Sequence, residues 1–155
     1  MAENPPTEHR DRQAWMSVLA KAPADEVIAA WEGLTSRPDY TALRSPEFGL
    51  VLVRGRMGGK GDAFNLGEMS VTRAAVRLET GETGVSYVAG RDRRHAEIAA
   101  AVDAMMQSPA LRPAVEGDVV ARLRTSQEDR RTVSARKAAA TRVDFFTMVR
   151  DRSPS

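Results

Sequence analysis

The stretch FGLVLVRGRMGGKGDAFNLGEMSVTRAAVRLETGETGVSYVAG, residues 48–90, decides the fold. Phe48, Leu50 and Leu52 alternate with Gly49, Val51 and Val53, and glycines recur at 49, 55, 58, 59, 61, 67, 81, 84 and 90. Period-two apolar segments broken by glycine read as short antiparallel strands. The pattern predicts strands near 41–45, 49–56, 63–66, 69–78 and 84–89, with Thr80, Gly81 and Glu82 as a tight turn between the last two.

Outside this stretch the period changes to that of a helix. Trp15, Val18, Leu19 and Ala22, then Val27, Ile28, Trp31 and Leu34, recur at helical spacing on either side of Pro23, predicting a helical hairpin over 12–34. Core packing is the natural role of both tryptophans. After Gly90, Asp92 stands at an N-cap position ahead of Ile98, Ala101, Val102, Met105 and Met106, and that helix should end near Ser108 and Pro109. Residues 109–117 hold two prolines and a glycine and read as a loop. From 118 to 142 the chain is polar and arginine-rich, with Val119, Val120, Leu123 and Val133 as its large apolar residues, a stripe too thin for burial without a partner surface.

The expected fold is therefore α+β: an antiparallel sheet of about four to five short strands, an N-terminal helical hairpin and C-terminal helices. Residues 1–11 should form a flexible tail, 12–108 the core domain and 109–150 a partner-docking segment. Arg142, Asp144, Phe145, Phe146, Met148 and Arg150 gather apolar and charged groups close to the C-terminus and are the docking candidates.

Composition narrows function. There is no cysteine among the 155 residues, which excludes disulfides, thiolate-bound zinc, iron-sulfur clusters and cysteine nucleophiles. No apolar run approaches the roughly 18–20 residues of a membrane span, and residues 1–12 lack the apolar stretch of a secretory signal, so a cytoplasmic protein without a membrane role is expected. Net charge is +2 and the pI about 9.4, too small an excess to imply nucleic acid unless the cations are concentrated on one face.

Candidate chemistry lies at three places. GRMGGKG, residues 55–61, brings glycines that let backbone amides approach phosphate, or else form a bend. It is not a Walker loop, because Gly61 stands where a magnesium-binding Ser or Thr belongs. GRDRRHAE, residues 90–97, sets Arg91 and His95 one helical turn apart; His95 there either contacts an anion and serves as acid or base, or packs at an interface. Arg54 and Arg56 share a face of one strand, and Arg73 and Arg77 a face of another. If the faces coincide they make a patch suited to a triphosphate or to an acidic protein surface, and otherwise they are solvated strand arginines; Arg56, Gly58, Gly59, Arg73 and Arg91 are the candidates for binding substrate or phosphate. With only His9 and His95 as histidines, no metal site is expected.

Four blocks, RQAWMSVLA at 12–20, GLVLVRGRMGGKG at 49–61 with Phe64, TRAAVRL at 72–78 and GRDRRHAE at 90–97, with RVDFFTMVR at 142–150 as a fifth, resemble the G subunit of the carbon-phosphorus lyase core, the PhnG family. The weakest coverage falls at 110–137. The resemblance implies phosphonate catabolism in an obligate hetero-oligomer with H, I and J subunits and an L subunit. In that system the ribose triphosphate of ATP passes to methylphosphonate with loss of adenine, giving α-D-ribose 1-methylphosphonate 5-triphosphate. It implies further that the I subunit carries the main catalytic groups, with MgATP a substrate of the complex and no cofactor bound by this chain alone. The role left to this chain is structural, or else it also lends Arg56, Arg73, Arg91 or His95 to a shared triphosphate or phosphonate site, and the structural form is preferred. Read without the resemblance, the arginines suggest a basic protein- or RNA-binding module; a free-standing ATPase lacks its motifs.

Overall fold

A computed structural model describes residues 7–141 apart from 57 and 59. Two helices open the chain, α1 at Thr7–Lys21 and α2 at Ala24–Glu32, with Pro23 as the N-cap of α2. The expected hairpin is present. Helix α1 starts at Thr7, inside the stretch expected to be a tail.

Three antiparallel strands follow, β1 at Tyr40–Arg56, β2 at Ala63–Leu78 and β3 at Thr83–Ala89, in the order β1-β2-β3. The four to five short strands expected are thus three, two of them long. The glycines misled: Gly49, Gly55 and Gly67 sit inside the ladder opposite Val71, Phe64 and Val53 and do not end it. Pro46 is accommodated by a register shift between Arg44 and Glu47, where an irregularity frees the position from ladder bonding. The turn at Thr80, Gly81 and Glu82 is as expected, with Leu78 N–H bonded to the Glu82 carbonyl at 2.9 Å and Gly81 at φ +105°.

Helix α3, Arg93–Gln107, is the centre of the molecule. Asp92 caps it, accepting from the His95 backbone N–H at 2.8 Å. One side packs on β2 and β3 through Ala96, Ala100 and Ala104, the other on α1 and α2 through Ile98, Val102, Met105 and Met106, all buried. Approach to the sheet is close: a β-carbon on Gly84 would fall 1.9 Å from the Ala100 carbonyl oxygen.

The loop expected at 109–117 is helix from Arg112 onward, because Pro113 falls in the first turn, where a proline opens a helix and does not break it. Helix α4, Arg112–Val115, a π-helical turn at Glu116–Ala121 and α5, Arg122–Ala140, run on from one another. Val115, Val119, Val120 and Leu123 complete the same core, which therefore extends beyond residue 108. Gln127 donates to the Val18 carbonyl at 2.6 Å and Arg130 pairs with Glu26, holding α5 on α1 and α2. Beyond this clamp residues 131–140 are exposed throughout.

Candidate functional site

The second face of α3 secures the N-terminal helices through a buried carboxylate. Asp103, fully buried, accepts from Arg12 at 2.7 and 3.1 Å, from the Trp15 indole at 2.9 Å and from the Val85 backbone N–H at 2.9 Å. This hydrogen-bonded pairing holds the Arg12 guanidinium above its usual pKa range. Helix α1, α3 and β3 meet at this one residue, and sequence reasoning missed it. An aspartate between Val102 and Ala104, inside the otherwise apolar run 98–106, was the available signal.

His95 belongs to the same packing. It is 4% exposed, and its Nε2 lies 2.8 Å from the Leu19 carbonyl, the geometry of an N–H donor tying α3 to the last turn of α1. The bond explains the residue without a ligand.

Helix α3 and β3 end where the hairpin is only half complete. Strand β3 pairs with β2 at residues 71–77, so 50–56 and 63–70 continue as a ribbon of two strands. At about 3.3 Å per residue its length is roughly 23 Å. Leu50, Leu52 and Leu66 on this ribbon are 62–63% exposed, and Val51, Phe64 and Met69 are exposed as well. Adjacent residues of a strand point to opposite faces, so exposure of Leu50, Val51 and Leu52 in succession leaves both faces of the ribbon uncovered among the described residues. Six of the ten exposed large hydrophobic residues among the described residues lie here, which makes the ribbon the principal apolar surface.

The predicted arginines divide between its ends. Arg56 and Gly58 are at the tip, where Arg56 faces Ala63. Arg73 is within the sheet opposite Glu47 and bonded to it at 2.7 Å. Contact with Tyr87 first, then Glu47, raises the Arg73 pKa, while Arg44 and then Arg73 lower that of Glu47. Arg91 is exposed beside the cap of α3, and Arg93 stacks on Phe48 with 4.8 Å from guanidinium to ring centre. Arg73 and Ala63, the partner of Arg56, are ten residues apart on β2, about 33 Å at strand rise. One triphosphate cannot span that distance, so these arginines do not form a single site. Gly59 and the docking candidates Arg142, Asp144, Phe145, Phe146, Met148 and Arg150 lie outside the described residues.

A cleft of about 550 Å³ between α1 and the start of α4 is lined by Glu8, His9, Asp11, Arg12 and Arg112, with Arg112 over the Trp15 ring. Carboxylates and cations alternate there, and Arg12 is already committed to Asp103. Among the described residues no three His, Asp or Glu side chains are grouped to hold a metal ion, and no helix is long and apolar enough to cross a membrane.

The sequence match extends over helices, sheet and ribbon alike: residues 10–151 fit the family model described as phosphonate metabolism protein PhnG. The chain belongs to the PhnG family. A family relative from Rhizobium meliloti (strain 1021), named alpha-D-ribose 1-methylphosphonate 5-triphosphate synthase subunit PhnG, is 50% identical over 142 residues, spanning 90% of this chain and 88% of the relative. PhnG membership places the protein in phosphonate metabolism.

Proposed function

We propose that this chain is a non-autonomous, accessory subunit of a ribose 1-methylphosphonate 5-triphosphate synthase. With H, I and L subunits it serves transfer of the ribose triphosphate of MgATP to methylphosphonate, releasing adenine; J completes the set of partners, and the assembly works in the cytoplasm. Substitution at the anomeric carbon passes through an oxocarbenium-like transition state and needs an acid for the departing adenine. The name of the R. meliloti relative supports the reaction. Burial of His95 against Leu19 and the hold of Glu47 on Arg73 support the accessory role, since both groups already have partners.

The observation that carries this reading is the ribbon. A two-stranded hairpin is marginal by itself in water. Covering six half-exposed apolar side chains contributes on the order of 5–9 kcal/mol, within the ~4–15 kcal/mol that association costs. Docking is therefore favourable only where further contacts join the apolar ones. The test is reconstitution: adenine release from ATP and methylphosphonate by H, I and L subunits should need this chain, and Leu50→Glu with Leu52→Glu should abolish the stimulation. Equal turnover without the chain would end the proposal.

A further inference from the structure

We infer that the ribbon docks into a different protein chain, not a second copy of this one, and that its receptor is an apolar groove flanked by carboxylates. This rests on the subunit reading above, and the charges at the two ends of the ribbon carry it. Its tip has Arg56 and Lys60 against Asp62, and Arg54 and Glu68 flank the middle of the ribbon. Its base has Arg91, Arg93 and Arg94 against Asp92 and Glu97, one more cation than carboxylates: Asp92 caps α3, Glu97 accepts from Tyr40 and pairs with Arg94, and Arg91 and Arg93 are left exposed.

Two copies packed antiparallel would bring the tip of one to the base of the other. Packed parallel, they would bring tip to tip. Either arrangement sets excess cations against cations as the apolar surfaces close, and like charges across an interface oppose association. Carboxylates at the two ends of a groove turn the same groups into attraction, and the planar guanidinium fork accepts them in bidentate geometry. They also supply the further contacts that the apolar area leaves needed.

Lys60 provides the readout, because the chain has three lysines, Lys21, Lys60 and Lys137, all exposed. The full chain is co-expressed with the H, I, J and L subunits, and the assembly is treated with a carbodiimide and mapped by peptide mass spectrometry. Lys60 should be joined to an Asp or Glu of another chain, and its acetylation by acetic anhydride should fall at least fivefold relative to the isolated protein. Arg54→Glu with Arg56→Glu, outside the core, should leave the melting temperature unchanged and weaken association at least tenfold. Lys60 joined to a second copy, Lys60 equally reactive in the assembly, or unchanged affinity of the double variant would each overturn the inference while the subunit reading stands. A wild-type chain that does not co-elute with those subunits overturns both.

Discussion

Leu66 lies across Gly55, where a β-carbon would fall 2.6 Å from Leu66 Cδ1. The contact occurs where the ladder changes register: Val53 faces Gly67 and Arg54 faces Asn65, so Leu66 is the extra residue of a bulge. Its side chain rests over the one position in β1 that offers no side chain of its own. Gly55→Val should displace Leu66 and reshape the ribbon without touching the core. Melting of the isolated chain should then shift by no more than about 2 °C, while affinity for the partner subunits, measured by titration, falls at least tenfold.

Removing Asp103 acts on the opposite part of the molecule. Asp103→Ala leaves Arg12, the Trp15 indole and the Val85 N–H without their shared acceptor. Breaking a buried pair costs about 3–5 kcal/mol, and the partial exposure of Arg12 places the loss near about 3 kcal/mol. Urea unfolding should show it as a lower midpoint with an unchanged slope.

His95 separates structural from catalytic roles. His95→Ala removes the bond to the Leu19 carbonyl and should cost about 2 kcal/mol of stability. Adenine release per assembled complex should remain at the wild-type rate below the unfolding temperature. A hundredfold loss of turnover in an intact assembly would instead make His95 a catalytic group.

Tyr40 supplies a pH dependence. Burial pushes its phenol pKa up, and the 2.6 Å hydrogen bond to Glu97 adds to the rise. The folded protein thus holds the phenol proton more tightly than the unfolded chain, whose tyrosine titrates near about 10. This contribution is complete below that pH and is lost as pH rises through the folded value. Tyr40→Phe should be less stable than wild type by about 1 kcal/mol at pH 8, and the gap should narrow in urea melts at pH 11.

Much of this was legible in the residues. The helical periods of Trp15 to Leu34 and Ile98 to Met106, the Asp92 cap and the Gly81 turn all appear where the pattern puts them. The strands ran longer than predicted because glycine lowers strand propensity without breaking a ladder whose partner is in place. Leu50 to Val53 is apolar on both faces, a pattern that ordinarily accompanies two covering layers. Among the described residues neither layer is present at that point, because α3 begins only at Arg93 beside Phe48. A missing layer is a property of the whole fold, and local pattern does not carry it. The arginines failed as one site for a related reason: spacing gives the face of a strand, while their separation along the hairpin depends on pairing.

Amide hydrogen exchange tests the central claim most directly, by comparing residues 50–56 and 63–70 in the isolated chain and in the assembled synthase. The account predicts fast exchange of the ribbon in isolation, slow exchange of α3 in both states, and at least a tenfold slowing of the ribbon on assembly. Equal ribbon exchange in both states would show that no partner covers it and would contradict the account.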